Sequence, residues 1–198
     1  MVGKLFLLSA PSGCGKTTLV YRVIQELEPW CPLERVVTYT SRPARSTDAS
    51  GVDYHFVSAQ EFQERIEQNF FLEWSTAYGH YYGTPRTLIE KVETGTSHIA
   101  VVDRVGVQAI LNIYGPTVAI WLEPPSFSEL EQRLRGRATE SAAELEKRLT
   151  LAQREIEQER VERLCKYCVI NRELDVALVQ LKEIILKELS LPATKDQR

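Results

Sequence analysis

The stretch Ala10-Pro11-Ser12-Gly13-Cys14-Gly15-Lys16-Thr17 restricts this chain's fold more than any other. Its spacing is that of a phosphate loop, with Ala10 where the first glycine usually stands. Gly13 and Gly15 let backbone N–H groups turn inward around a phosphate. Lys16 is spaced to reach the β and γ phosphates of a nucleoside triphosphate, and the Thr17 hydroxyl suits Mg²⁺. Such a loop needs a strand before it and a helix after it. The apolar run from Lys4 to Leu8 has strand length, and Leu19, Val23, Ile24 and Leu27 recur at helical spacing. The positive end of that helix would face the same phosphates.

Further along, Ser58-Ala59-Gln60-Glu61 is a capping-box pattern ahead of Phe62 and Ile66, which share one helix face. His98 to Asp103 is a second buried strand with a carboxylate at its C-terminal end, and Val118 to Leu122 a third. Ser126 with Glu129 and Ser141 with Glu144 cap two more helices, the second with Leu145, Leu149, Ala152 and Ile156 on its apolar face. Tyr167 to Asn171 is a final strand and Val176 to Leu189 a final helix, followed by a disordered tail. Buried strands alternating with helices predict an α/β fold with a parallel sheet flanked by helices. Ligands of such sheets sit beyond the C-terminal strand ends, where the glycine loop and Asp103 both fall.

Composition excludes several alternatives. The 198 residues, 43% hydrophobic and 26% charged, are enough for one cored domain. A net charge of −3 gives no global basic field to recruit nucleic acid. The LFLL run is too short for a secretory leader, and no stretch approaches a membrane span, so the expected compartment is the cytosol. Cys14, Cys31, Cys165 and Cys168 read as reduced thiols, and the lone CxxC of the last pair lacks the partners of a zinc site.

A second anion site is written into Ser41 to Phe56, which places Arg42 and Arg45 either side of Pro43 and ends on Tyr54 and Phe56. Two guanidiniums and a phenol can together hold a phosphate monoester, each charge-assisted hydrogen bond being worth roughly 1.5–3 kcal/mol. At this point the chain resembles the guanylate kinases. APSGCGKTTL resembles the family's start, SRPARSTDASGVDYHFVSAQEF its two-arginine segment, and FFLEWSTAYGHYYGTP its Phe-Leu-Glu-Trp and Tyr-Tyr-Gly-Thr segments. EPPSFSELEQRLRGRATES resembles the family's Arg-rich lid and VINRELDVAL its closing strand, so the match runs in order from about residue 3 to 187.

The resemblance implies ATP-dependent phosphorylation of GMP to GDP, with Mg²⁺ as cofactor and ATP and GMP as partners. It implies one domain over residues 1–190, with a core (1–33, 93–124, 165–190), a mobile acceptor lobe (about 34–92), a helical lid (about 125–164) and a tail (191–198). Ser12, Gly13, Cys14, Gly15, Lys16, Thr17, Thr18, Arg133, Arg137 and Asn171 would then bind ATP. Arg42, Arg45, Tyr54 and Tyr82 would hold the GMP phosphate; Thr38, Glu73, Thr84 and Asp103 would meet the rest of GMP. Lys16, Arg42, Arg137 and Arg148 would carry catalysis. Thr17 would ligate the metal, with Asp103 reaching it through water. A carboxylate such as Glu73 can accept from both the ring N–H and the exocyclic amine of guanine, a donor pair that adenine lacks.

The chain also departs from the family. Its strand usually ends Asp-x-Asp, and here it reads Val101-Val102-Asp103, followed by Arg104 where an apolar residue is usual. The lid reads Gly136-Arg137-Ala138 where a second glycine is usual, and Arg172 and Glu173 follow Asn171 in place of acids. Two rival readings follow. One is a related kinase for another acceptor, such as ribose 1,5-bisphosphate, against which Arg45, Tyr54 and Glu73 argue. The other is a guanylate-kinase-like binding module, against which the intact Gly15, Lys16 and Thr17 argue.

Overall fold

The computed structural model describes residues 2–45, 48–136 and 142–191. In chain order the elements are β1 (Leu5–Ser9), α1 (Lys16–Leu27), β2 (Leu33–Arg35), β3 (Thr38–Thr40), β4 (Tyr54–Phe56), α2 (Ala59–Glu67), β5 (Phe71–Ala77) and β6 (His80–Pro85). They continue with α3 (Thr87–Glu93), β7 (Ser97–Val101), α4 (Arg104–Ile113), β8 (Thr117–Glu123), α5 (Phe127–Arg135), α6 (Ala142–Glu162), β9 (Tyr167–Ile170) and α7 (Leu174–Glu188).

The main sheet has five strands in the order β2-β7-β1-β8-β9, and every neighbouring pair is parallel. Helices cover both of its faces, which explains why β1 is apolar throughout rather than alternating. Phe6 and Leu8 pack into one cluster with Leu19, Val23 and Leu27 of α1 and Leu181 and Ile185 of α7. Leu5 and Leu7 pack into another with Val107 and Ile110 of α4 and Leu88 and Val92 of α3. Chain order reverses around β1, which lies between β7 and β8, so the crevice at its carboxyl end is where a ligand is expected.

A second sheet of four strands, β4-β3-β6-β5, overhangs that crevice. Its β5–β6 hairpin closes on the Ala77–His80 pair, with Tyr78 (φ 55°) and Gly79 (φ 78°) both left-handed at the turn. Helix α2 packs on this sheet through Phe62, stacked on Phe71 at 4.4 Å between centroids and on Tyr81 at 5.2 Å. Gly83 makes that approach possible, because a Cβ there would lie 2.8 Å from Phe71 and 2.9 Å from Phe62.

The expected capping box is present: Ser58 Oγ accepts from the Glu61 amide at 3.1 Å, and the Ser58 amide donates to Glu61 Oε2 at 2.8 Å. Ser126 likewise accepts from the Glu129 amide. The cap expected at Ser141 and the tail from residue 192 lie outside the described residues. One boundary differs from expectation. The strand read as ending at Asp103 stops at Val101, and Asp103 is instead the N-cap of α4, its carboxylate accepting from the Gly106 amide at 2.7 Å. Helix α7 also starts earlier than its apolar pattern suggests, at Leu174.

Among the described residues, no helix is long and apolar enough to cross a membrane. Glu188 ties α7 to the sheet, accepting from Lys166 Nζ at 2.6 Å, Tyr167 Oη at 2.7 Å and Lys4 Nζ at 3.2 Å. The Lys166 hydrogen bond, then that from Tyr167, hold its carboxyl down at about 2. A carboxyl depressed on folding stabilises the fold above its unfolded pKa, and that gain is lost as pH falls through the folded value. E188Q is therefore expected to cost about 1 kcal/mol at pH 7, since Lys4 and Lys166 are solvent-exposed. It should also flatten the loss of stability between pH 4.5 and 2, as read by urea unfolding across that window.

Candidate active site

Ser9 ends β1 in the middle of the sheet, and the chain must then turn back into α1. Gly13 (φ 91°) and Gly15 (φ 83°) take left-handed backbone at that turn, which is what aims successive N–H groups at one point. Leu130 and Leu134 of α5 pack against Gly13, and Asn171 Nδ2 donates to the Cys14 carbonyl at 2.7 Å from behind. The Cys14 side chain is fully buried, and that burial pushes its thiol up to about 11. Lys16 Nζ donates to the carbonyls of Ala10 at 2.6 Å and Pro11 at 3.1 Å, folded over its own loop. Thr17 and Thr18 are exposed on the cavity side at the start of α1.

The same cavity continues under the second sheet. Arg42 and Arg45 reach it from the segment after β3. Asp48 organises both: its Oδ2 accepts from Arg42 Nη2 at 2.8 Å and from the Arg45 amide at 2.7 Å. The Arg42 guanidinium lies over the rings of Tyr54 and Phe56, at 5.7 and 5.6 Å. Tyr54 and Tyr82 meet edge-on at 6.2 Å, and burial raises the Tyr54 phenol above its usual pKa. An ion pair and an aromatic shelf thus hold a guanidinium facing an open space, an arrangement able to accept a bidentate phosphate.

At the far end, Glu73 on β5 is buried, 8% exposed, and Thr84 Oγ1 donates to its Oε1 at 2.6 Å. Burial pushes its carboxyl up to about 7, against the Thr84 hydrogen bond. Thr38 is buried on the same wall. Asp103 joins the two sheets, accepting from Ser75 Oγ at 2.5 Å with Oδ2 while its Oδ1 caps α4. Helix α6 supplies the roof: Arg148 and Glu155, seven residues apart and so on one helix face, both line the cavity. Arg148 Nη1 donates to Ser12 Oγ at 2.9 Å.

The family model for guanylate kinase matches residues 2–188. The chain belongs to the guanylate kinase family. It is 39% identical to the guanylate kinase of Chlamydia felis over 94% of this chain and 89% of that protein. It is 37% identical to that of Myxococcus xanthus, over 94% of this chain and 87% of that one. Among solved structures, guanylate kinase from Anaplasma phagocytophilum superposes with a TM-score of 0.77 at 26% identity, covering 94% of this chain and 86% of that chain.

Of the residues expected at the guanylate kinase sites, those of the phosphate loop share one cavity with Thr38, Arg42, Arg45, Tyr54, Glu73, Tyr82, Thr84, Asp103 and Arg148. Arg133 and Asn171 stand behind the loop and off the cavity wall: Arg133 Nη2 donates to the Asn171 carbonyl at 3.1 Å. Arg137 lies outside the described residues. Sequence reasoning missed Asp48, Ser75, Tyr78 and Glu155. Asp48 carried a signal, an acid six residues after Arg42, whereas Glu155 sits in a helix dense with charge and nothing in its spacing singles it out.

Glu155 bears on the departure at Val101. Val101 lines the cavity, so the strand end presents a methyl wall where the family has an acid. Glu155 brings a carboxylate to the same cavity from α6. Burial pushes it up to about 7 against the pull of Lys16, and its Oε2 has no hydrogen-bond partner among the described residues. Arg104 also has a reason: it pairs with Glu159 at 3.2 Å and Glu162 at 2.7 Å, pinning the end of α6 to the start of α4. The two CxxC thiols are pushed up to about 12 by burial and neighbouring carboxylates.

Gly106 in α4 guards Glu73: a Cβ there would lie 2.9 Å from Glu73 Oε2 and 3.4 Å from Asp103 Oδ1. Gly106→Ala should favour the helix by about 1 kcal/mol while displacing the Glu73 carboxylate. Its expected signature is a KM for GMP raised about tenfold or more with little change for ATP, checked by steady-state kinetics. Glu73 itself has a stability signature. Folding raises its pKa from 4.5 to about 7, so the folded state binds the proton more tightly and stability falls as pH rises across that interval. Above pH 7, E73Q is expected to be more stable than the parent by about 1–3 kcal/mol, read as a higher Tm without nucleotide at pH 8.

Proposed function

We propose that the chain transfers the γ-phosphoryl group of ATP to GMP, giving ADP and GDP, as its family membership indicates. The observation that carries the choice of acceptor is Glu73, a buried carboxylate held by Thr84 at the opposite end of the cavity from the phosphate loop. Guanine's ring N–H and exocyclic amine would give it two donors and favour its charged form. Adenine would offer it no such donor pair, leaving only the Thr84 hydrogen bond, and sites of this kind discriminate by about 10⁴-fold. Thr38 stands within the same wall to touch the base.

Donor and acceptor phosphates would meet between the two grips. The Gly13–Gly15 turn and Lys16 hold the ATP phosphates, Lys16 exchanging its contacts with the Ala10 and Pro11 carbonyls for β and γ oxygens. Arg42, Arg45, Tyr54 and Tyr82 hold the GMP phosphate, with Asp48 fixing Arg42 so that little ordering is left to binding. One oxygen of that phosphate attacks the γ phosphorus, and the bond from the γ phosphorus to the β–γ bridging oxygen breaks. The attacking oxygen is already ionised, so no general base is required. Charge on the transferred group falls to Lys16 and to arginines of the lid, Arg148 and Arg137, with Arg133 approaching from behind the loop.

The donor set suits Mg²⁺. Among the described residues no group of three or more His, Cys, Asp or Glu side chains is gathered to hold a metal, so a cation here must rely on phosphate oxygens and water, which is the habit of magnesium. Thr17 would bind it, with Asp103 acting through water. When bound it neutralises charge on the β and γ phosphates. We place this reaction in purine nucleotide metabolism in the cytosol, where the protein's thiols stay reduced. On this reading the acceptor lobe spans about 34–92 and the lid about 125–164, closing over a core to exclude water that would otherwise hydrolyse ATP.

A coupled ADP-release assay with ATP and Mg²⁺ tests the proposal. Turnover is expected with GMP and not with AMP, UMP, CMP or ribose 1,5-bisphosphate, and E73Q is expected to lose about 10²-fold or more in kcat/KM for GMP. Turnover with the sugar phosphate instead, or an E73Q enzyme as good as the parent, would refute it.

A further inference from the structure

Tyr78 has no place among the expected site residues and is an unusual choice where it stands. It occupies the first central position of the two-residue β5–β6 turn at φ 55°, followed by Gly79 at φ 78°. Such turns favour Asn, Asp or Gly, whose side chains tolerate left-handed backbone; a tyrosine there is strained. The hairpin therefore gains nothing locally from the ring. What the ring does is cross the cavity. The Arg148 guanidinium carbon lies 4.9 Å from the Tyr78 centroid, and the same guanidinium donates to Ser12 Oγ at 2.9 Å. Ser12 is also a polar neighbour of the Tyr78 phenol. Three parts of the site meet here: the acceptor-side hairpin, the phosphate loop and α6.

We infer that Tyr78 is a positioning residue that holds Arg148 at the donor phosphates, so that the hairpin carrying the acceptor grip also sets the place of a lid arginine. The inference rests on the ATP and GMP reading above. A guanidinium on a four-bond side chain has many rotamers, and in the one adopted Nη1 lies 2.9 Å from Ser12 Oγ. The ring face restricts that choice by cation–π attraction without consuming an N–H donor. Because β5 and β6 also bear Glu73, Tyr82 and Thr84, a shift of the hairpin on binding GMP would be passed to Arg148 through this contact.

The test is a double-mutant cycle of Tyr78→Asn and Arg148→Ala, with Tyr78→Phe as the conservative variant, read by steady-state kinetics with ATP and GMP and by thermal unfolding. Asn suits the turn better than Tyr, so Y78N is expected to match or exceed the parent in Tm. A merely structural role for Tyr78 does not predict that this variant loses activity. Its kcat is expected to fall about tenfold, equal to about 1.4 kcal/mol, with the KM for GMP changed less than twofold. Y78F should recover most of the loss, and Y78N should have no further effect in the R148A background. Wild-type kcat in Y78N, or additive losses in the double variant, would overturn the inference. A parent enzyme without ATP and GMP turnover would instead overturn the reading on which it rests.

Discussion

A strand buried on both faces that stops abruptly and turns back into a helix is the constraint on which this molecule depends. β1 sits at the centre of the sheet, so the chain leaving it must reverse to bring α1 back against the core. Only glycine takes the two left-handed positions of that reversal cheaply, and the loop is then held from behind by Asn171 on the Cys14 carbonyl. α5 packs on the outside of the loop through Leu130 and Leu134. The phosphate cradle is thus preorganised by packing: its N–H groups are already directed, and binding need not pay to arrange them.

The acceptor side solves the opposite problem, keeping strong charges ready without letting them collapse. Arg42 is held between Asp48 and two aromatic faces, and Glu73 between Thr84 and the bare backbone of Gly106. Burial raises the pKa of the Glu73 carboxyl, a standing instability that a ligand with two donors would remove. On the proposed reading, stability given up here would reappear as discrimination between bases.

α6 connects these two economies. It carries Arg148 over the phosphate loop and Glu155 into the same space, and Arg104 anchors its far end through Glu159 and Glu162. Two departures from the family pattern therefore fall on one element. The acid absent at Val101 faces a cavity that receives a carboxylate from α6, and the unusual Arg104 fastens the helix that delivers it.

Sequence alone determined the phosphate loop, the α/β class, the strands β1, β7, β8 and β9 of the main sheet and the capped starts of α2 and α5. Each of these is encoded locally, in glycine placement, apolar runs or Ser-x-x-Glu spacing. The short strands β2, β3 and β4 were not legible, because three residues are too few for a period and their stability comes from the sheet they join. Asp103 was legible as a site residue, but its hold on Ser75 was not, since that contact comes from β5, 28 residues away in the chain. Glu155 and Tyr78 were decided by tertiary structure alone. Both meet partners more than fifty residues away in the chain, and no local pattern records which side chains will meet there.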